Sequence, residues 1–479
     1  MKKFITTTLP YANAAPHIGH TFEFVLADVI ADYWRWSIGK DNVRLNIGLD
    51  EHGQKIKQRA DELGKQPQDY CDETAVQWKE FCRRLDIDYD NFYRTTDQQH
   101  KENALRLTEQ LSEFIYERDY SGWYCVGCES YKTEKELAPP AVNALHQSPK
   151  CVTHQRECQW LVERVKCFDI KRFAPLIENR LVDDTLSNEL KNIIASDFDF
   201  PITRKGVDWG VKLPDGSTLY VWAEALANYI FAAGYYRDRD EFNQWWENSL
   251  QLCGKDNLKF QAYIFQAILL AAGAKQTSEI LVHGIILDQK GEKMSKSVGN
   301  VVDPIRQLDV YGISPLRYYL TLGLSTYSDS AYSEKDLVQL WNNDIVGGFG
   351  NLVARTLHLV DINEVDIQGT PITKEHFSQR KNKVEELQKA FEKYDFHQVR
   401  HLLLTWTGGL NKRISDERPF DVNTPNRKGI IAEIYFDLVA IQPFYSILLK
   451  DHGSIITALK SRKKAILFQK LEFKESVIA

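Results

Sequence analysis

The sequence predicts an α/β chain with a parallel-sheet core, an insertion that interrupts it and a helical bundle that follows. Three observations carry that expectation. Phe4 to Leu9 is β-branched and aromatic, Pro10 to Pro16 is a turn-rich connection, and Ile18, Phe22, Val25, Leu26, Val29, Ile30 and Tyr33 then recur at helical spacing before Gly39. Val43 to Leu49 reads as the next strand and leads into Asp50-Glu51-His52-Gly53, so strand, loop, helix and strand make a right-handed βαβ unit. The texture changes from Ser121 to about Cys158, where cysteines, prolines and a histidine sit in weak periodicity; this reads as an insertion. Beyond about residue 335 strand signals fade, and long amphipathic stretches punctuated by Gly and Pro predict a bundle.

The intervening elements fit the same plan. Helical segments run to about residue 115. Regular α/β texture returns with Leu219 to Trp222, Leu250 to Cys253, a helix from Phe260 to Ala272 and a strand from Glu279 to Leu287.

Composition is that of an ordinary globular protein, with 43% hydrophobic and 26% charged residues among 479 and a net charge of -6. That balance excludes coating by nucleic acid through bulk charge, though not a local basic face. The basic clusters at 380–383 and 460–464 read as solvated helix faces. Met1-Lys2-Lys3 followed by Ala12 to Ala15 imitates a secretory leader, but Phe4 to Leu9 is too short and too polar for its apolar segment. No run approaches the ~18 apolar residues of a membrane span, so the expectation is a cytoplasmic protein without membrane contact. Eight cysteines, four of them isolated, do not form a disulfide framework.

Two short motifs carry phosphate chemistry. His17 and His20 stand three apart at the mouth of the first helix, where free amides and the dipole attract anions. Gly19 between them lets a nucleotide lie against the backbone. The later stretch Gly291-Glu292-Lys293-Met294-Ser295-Lys296-Ser297 follows a strand and should be a mobile loop. Its two lysines, three apart, suit the charge that builds on a departing pyrophosphate. Together, 276 positions apart and each behind a strand, the motifs specify a split ATP site rather than two chance matches. A third cluster, Cys125-x2-Cys128 and Cys151-x2-His154, presents two knuckles separated by 22 residues. That donor set suits a tetrahedral structural zinc. Cys158 lies outside the paired spacing and is a competing ligand.

With these residues in view, the chain resembles the class I aminoacyl-tRNA synthetases, and among them the methionyl-tRNA synthetases. The likeness runs through Thr8 to Asn13, Asp50 to Gly53, Tyr220-Val221-Trp222 with Asn228-Tyr229, Gly254-Lys255-Asp256 and Gly299 to Pro304, in that order. It implies a Rossmann-type catalytic domain over 1–115 and 206–282, a connective insertion with a zinc knuckle over 116–205, a stem-contact region over 283–340 and an anticodon-binding helical bundle over 341–479. It also implies an enzyme using ATP, Mg²⁺ and Zn²⁺ to activate methionine as its adenylate and to charge a tRNA.

The roles the resemblance implies fall on matching positions. His17, His20, Lys293 and Lys296 would be catalytic. Gly19, Glu23, Gly254, Asp256, Met294, Ser295 and Ser297 would meet ATP, with Glu23 either orienting His20 or touching adenosine. Thr8, Leu9, Tyr11, Asp50, Trp222, Ala225, Tyr229, Asn257 and Gln261 would hold the amino acid, Asp50 through its ammonium. Asn351, Arg355 and Phe420 would read the anticodon. The stretch Ala465 to Phe468 resembles the family's closing strand, and the chain's end at Ala479 leads to the expectation of a monomer.

Departures sit where specificity is decided. Asn257 and Gln261 replace the family's usual isoleucine and histidine, Phe265-Gln266 replaces Trp-Pro, Glu224 stands where aspartate is common, and Phe420 replaces a tryptophan. Glu163 to Asp169 stands where an aromatic-rich stretch is usual. The two amides in an apolar slot either satisfy each other or read a polar substrate. The alternative to a methionine enzyme is therefore a paralogue that activates another amino acid or an analogue outside translation. A non-catalytic tRNA-binding protein would not need His17, His20, Lys293, Lys296, Asp50 and Asp256.

Overall fold

A computed structural model describes residues 1–128, 130–138, 148–153, 155–196, 198–294, 299–451, 453–461 and 467–473. The chain forms two compact units: residues 1–16, 41–83 and 88–282 in the first, and 17–40, 84–87 and 283–479 in the second.

The first unit is built on a five-stranded sheet. Its order is Glu279–His283, Ser249–Gly254, Lys3–Thr6, Val43–Leu49, Asn91–Arg94. Lys3–Thr6 runs parallel to both neighbours, pairing Phe4 with Ser249 and Arg44, and Thr6 with Gln251 and Asn46. Val43–Leu49 in turn runs parallel to Asn91–Arg94. Lys3–Thr6 and Ser249–Gly254 are buried along their whole length, as expected of parallel strands covered on both faces. Gly48 has a packing reason: a Cβ there would drive into the Tyr93 carbonyl on the adjacent strand. The carboxyl ends of three neighbouring strands release the segments that begin at Thr7, Asp50 and Lys255. That edge is where open α/β sheets bind ligands.

The expected strand at Phe4 to Leu9 is shorter, ending at Thr6. Glu279 to Leu287 divides into Glu279–His283 and Ile286–Leu287, because a Cβ at Gly284 would strike the Ser328 carbonyl. Leu219 to Trp222 is divided: Leu219 closes the short strand Thr218–Leu219, and Val221 and Trp222 open the helix Val221–Leu226. The apolar Phe260 to Ala272 segment starts as a π-helical turn, Phe260–Ile264, before the α-helix Phe265–Ala271.

The insertion is more regular than its sequence. Ile115–Cys125 and Gln159–Phe168 pair antiparallel from Ile115↔Phe168 to Tyr124↔Gln159. The first half of Gln159–Phe168 faces solvent, with Trp160 and Val162 exposed. A ladder wetted on both sides offers no apolar alternation to read.

Among the described residues, the second unit is mainly helical, with the short strand pair Ile286–Leu287 and Ser330–Ala331. Helix Ile18–Ile38 ends at Gly39 with φ 91, and its residues from Thr21 to Ala31 are buried without a break. The longest later helices are Lys374–Glu392, Phe396–Glu417 and Arg427–Leu449. Arg427–Leu449 corrects one expectation. It is long and apolar enough to cross a membrane, with a mean hydropathy of 1.3, yet 72% of that window is buried in the protein. Its Asp437 accepts from the Trp406 indole at 3.2 Å, as in a core helix.

Charge is buried in this unit too. Asp28 on Ile18–Ile38 meets Arg317 at 2.7 Å and Lys450 at 2.9 Å, and Lys450 also reaches Asp32 at 2.7 Å. Burial, then the neighbouring Asp28, raise the Asp32 carboxyl, while Lys450 and Arg317 oppose that rise. Removing one member of such a set leaves the others desolvated and uncompensated. Asp28→Asn is expected to lower stability by about 3–5 kcal/mol in a urea titration; a loss below the resolution of that experiment would show that the cluster contributes nothing.

Candidate active site

In the first unit, the segment after Lys3–Thr6 lies along the end of Val43–Leu49. The Asp50 amide donates to the Pro10 carbonyl at 3.0 Å, and the Ala12 amide donates to the Asp50 carbonyl at 2.9 Å. This places Tyr11 beside Asp50, and the Tyr11 hydroxyl donates to the His52 carbonyl at 2.7 Å. Thr8 and Leu9 on the same segment are half-buried. Asp50 is 8% exposed.

Trp222 and Ala225 lie on Val221–Leu226, and Tyr229 on Asn228–Ala232. The Trp222 ring stacks on Phe260 at 3.8 Å and 12°, and its N–H donates to the Cys128 carbonyl at 3.4 Å. Lys55 donates to the Gly127 carbonyl at 3.0 Å and lies 5.6 Å from the Tyr11 ring. The cysteine turn is therefore bonded to the aromatic wall. Phe260, Lys55 and Gly127 carry no sequence signal for this, because their partners lie on distant segments. Gly254 ends its strand buried, and Asp256 is exposed on the short turn Lys255–Asn257.

The two amides do not pair with each other. Asn257 is half-exposed on the Lys255–Asn257 turn. Gln261 is buried; its carbonyl accepts from Gln251 and its amide donates to the Tyr229 hydroxyl at 2.9 Å. Gln251 in turn accepts from Thr277 at 2.9 Å, and Gln266 donates to Thr277 at 3.0 Å and to the Gln261 carbonyl at 2.8 Å. Sequence reasoning missed Gln251, although a lone glutamine within the buried strand Ser249–Gly254 is itself a signal that a polar partner waits there.

A second polar group is enclosed beneath the 50–53 turn. Glu224 lies between His52, whose Nδ1 is 2.7 Å away, and His100. His100 Nδ1 is 3.0 Å from the Tyr93 hydroxyl. Burial would raise the Glu224 carboxyl, but His52 and His100 outweigh it and hold the group well below the ordinary glutamate range.

The cysteines converge as a metal site requires. The sulfurs of Cys125, Cys128 and Cys151 lie within 4.8 Å of one another, with Cys128 and Cys151 at 3.5 Å. Thiolates bound at ~2.3 Å in a tetrahedral zinc centre stand at comparable separations, so this donor set fits zinc. Cys158 packs into the same buried cluster. His154 lies outside the described residues.

In the second unit, His17 caps Ile18–Ile38 and its ring stacks on His20 at 3.7 Å and 23°. His17 Nδ1 accepts from the Gly19 amide at 3.1 Å, and His20 Nδ1 accepts from the His17 amide at 3.3 Å. With both Nδ1 atoms accepting, the neutral rings carry their protons on Nε2. Glu23 has a partner the sequence did not suggest, His283 Nε2 at 3.0 Å.

Lys293 is exposed and Met294 half-buried; Ser295, Lys296 and Ser297 lie outside the described residues. The base of their loop is organised by Asp288, which sequence reasoning missed. Its carboxylate accepts from the Lys290 amide at 2.9 Å, the Glu292 amide at 2.8 Å and the Asn300 side chain at 2.8 Å. The Asn300 bond and the backbone donors lower its carboxyl from the usual range.

Asn351 is exposed and Arg355 half-buried on Asn351–Ile362; the Arg355 guanidinium donates to Asn411 at 3.1 Å. Phe420 is 48% exposed, with Arg418 5.7 Å from its ring. Of the closing strand expected near the end, residues 465 and 466 lie outside the described set, and Leu467 and Phe468 are not in a strand.

Residues 3–357 match the family described as "tRNA synthetases class I (M)". The chain belongs to that family. A methionine–tRNA ligase from Fusobacterium nucleatum is 33% identical over 88% of this chain and 68% of its own length. The methionine–tRNA ligase of Ureaplasma parvum is 29% identical over 100% of this chain and 93% of its own. A Mycobacterium tuberculosis methionyl-tRNA synthetase solved in complex with methionyl-adenylate superposes with a TM-score of 0.86, at 27% identity, covering 95% of this chain and 93% of that one. The chain is thus a class I aminoacyl-tRNA synthetase, a ligase that uses ATP.

For this synthetase, the amide set around Gln261 gives a direct test. Gln261→Leu would take from the buried Gln251 amide its Gln261 acceptor in an enclosed site, costing about 1–3 kcal/mol in chemical denaturation. If Gln261 instead serves only to read a substrate, stability stays unchanged and substrate preference alone moves.

Proposed function

We propose that the chain is a methionine–tRNA ligase. The observation that carries this reading is the wall of Tyr11, Trp222 and Tyr229 beside Asp50, in a chain similar over nearly its full length to an enzyme solved with methionyl-adenylate. An apolar, aromatic wall suits a thioether side chain. The Gln261 amide is engaged by Gln251 and Tyr229, which supports a bracing role and argues against a polar substrate side chain.

In this reading Asp50 holds the substrate ammonium, while Thr8, Leu9 and Ala225 line the slot. The substrate carboxylate attacks the α-phosphorus of ATP, the bond to the β-phosphate oxygen breaks, and pyrophosphate departs. No side-chain nucleophile is needed, so the protein supplies position and charge. His17 and His20 donate Nε2–H to phosphate oxygens as negative charge develops. Lys293 and Lys296 neutralise the leaving group, and Mg²⁺ would supply further positive charge there. Gly19, Glu23, Gly254, Asp256, Met294, Ser295 and Ser297 cradle the nucleotide. A terminal tRNA hydroxyl then attacks the adenylate carbonyl and AMP leaves. Asn351, Arg355 and Phe420 are assigned to the anticodon, where an exposed phenylalanine stacking on a base is worth roughly 1–3 kcal/mol.

The functional division assigned here is catalytic for 1–115 and 206–282, connective for 116–205, stem-contacting for 283–340 and anticodon-binding for 341–479. Cys125, Cys128 and Cys151, with His154 as fourth ligand, would hold a structural zinc. The enzyme is inferred to act in the cytoplasm as a monomer without membrane contact, with light scattering at the mass of one chain as the check on its oligomeric state.

Amino-acid-dependent exchange of pyrophosphate into ATP, run across the twenty amino acids, tests the substrate. Methionine alone should support exchange; strong exchange with another amino acid would sink the assignment. Metal analysis of the purified protein should find about one zinc per chain, lost in Cys151→Ser. A protein equally folded and metal-free in both forms would remove zinc from the account.

A further inference from the structure

The 50–53 turn is held from every side. The Glu51 carboxylate accepts from Arg94 Nε at 2.9 and 3.0 Å and from the Thr96 hydroxyl. The Glu51 carbonyl accepts from the Trp209 indole at 2.6 Å, and its amide donates to Thr95 at 2.9 Å. These contacts hold the turn to Arg94, Thr95 and Thr96 on one flank and to Trp209 on another. Glu224 ties it to the helix that carries Trp222 and Ala225.

Glu224 is 2% exposed, and both of its carboxylate oxygens are engaged, one by His52 Nδ1 and one by His100 Nε2. The proton order is constrained. A carboxylate only accepts, so each imidazole must present N–H to it. As a neutral ring, His100 with its proton on Nε2 offers Nδ1 as an acceptor, to which the Tyr93 hydroxyl donates. His52 sits two residues beyond Asp50; its amide lies 3.5 Å from an Asp50 carboxylate oxygen, and its carbonyl accepts from Tyr11. His52 thus touches both Asp50 and Tyr11 through its backbone while its ring is tied to Glu224.

We propose that Glu224 is a positioning residue for the amino-acid substrate, a buried carboxylate that clamps the Asp50–Gly53 turn to the Trp222 helix through His52 and His100. It sets the distance between the ammonium anchor, Asp50, and the wall that receives the side chain. Because both of its carboxylate oxygens are taken up by His52 and His100, its influence falls on amino-acid binding and not on the chemical step. The inference rests on the assignment of Asp50 to the substrate ammonium.

Glutamine is nearly isosteric at this position, yet it can accept only with its oxygen. Its amide would face an imidazole N–H, forcing one ring to the other tautomer. If that ring is His100, Tyr93 must also reverse its hydrogen bond. Aspartate keeps the charge and both acceptors with a shorter reach. The test measures pyrophosphate exchange kinetics for Glu224→Gln and Glu224→Asp, with thermal unfolding to confirm that each is folded. For Glu224→Gln we expect KM for the amino acid to rise at least tenfold, with kcat and KM for ATP within about threefold of the parent; Glu224→Asp should recover most of the loss. A folded glutamine variant with the parental amino-acid KM overturns the inference, as does a fall confined to kcat. The amino acid used is whichever one the parent activates. Exchange of the parent with an amino acid other than methionine therefore refutes the substrate assignment and leaves the clamp to be judged by the KM ratio alone.

Discussion

The parallel placement of Lys3–Thr6 between Ser249–Gly254 and Val43–Leu49 is the constraint on which the first unit depends. Three strands distant in sequence are held in one register, so the segments leaving their carboxyl ends must emerge side by side. Thr8 to Tyr11, Asp50 to Gly53 and Gly254 to Gln261 follow those ends. Hydrogen bonds between Pro10, Ala12 and Asp50 then extend the pairing past the sheet itself. Full burial of the central strands makes the arrangement rigid, since parallel strands exposed on neither face have no other way to satisfy their backbone.

Enclosing a site in such a core creates a cost that polar side chains must meet. The strand Ser249–Gly254 carries Gln251, which engages Gln261 and Thr277, and the turn at Asp50 brings His52 against Glu224. Within each set the members bond one another: Gln251, Gln261, Gln266 and Thr277 in the first, and Glu224, His52, His100 and Tyr93 in the second. Satisfied networks of this kind fix a single geometry, because moving one member strands several others. The second unit follows the same logic with charge, where Asp28, Asp32, Arg317 and Lys450 pair among themselves.

Much of the fold was readable along the chain. Val43–Leu49 and the end of Ile18–Ile38 at Gly39 emerge with their expected bounds because local signals, the alternation of Val43, Leu45, Ile47 and Leu49 and a positive-φ glycine, act there without competition. The insertion was not readable as a ladder, since Gln159–Phe168 exposes Trp160 and Val162 beside polar residues in its first half and is largely buried only in its second. The split of Glu279 to Leu287 at Gly284 was hidden because the close approach comes from Ser328, far along the chain. The candidate site residues stood out in the sequence where residue type and spacing are themselves the signal, as with the phosphate-site pair His17 and His20 or the metal-site pair Cys125 and Cys128. Asp288, Gln251 and His100 were missed because each acts through a partner that only folding supplies.

The sequence by itself pointed to the chemistry class through adenylate-type motifs, a zinc-type cysteine pattern and a resemblance to a family whose model matches residues 3–357. Tertiary structure alone decided what surrounds that chemistry. It sent the Gln261 amide to Gln251 and Tyr229, left Asn257 half-exposed, stacked Trp222 on Phe260 and placed Glu224 between two imidazoles. The physical reason is that a motif encodes which groups are present, whereas a buried polar group takes its meaning from the partner that satisfies it. Those partners lie 10 to 172 residues away for Gln261 and Glu224.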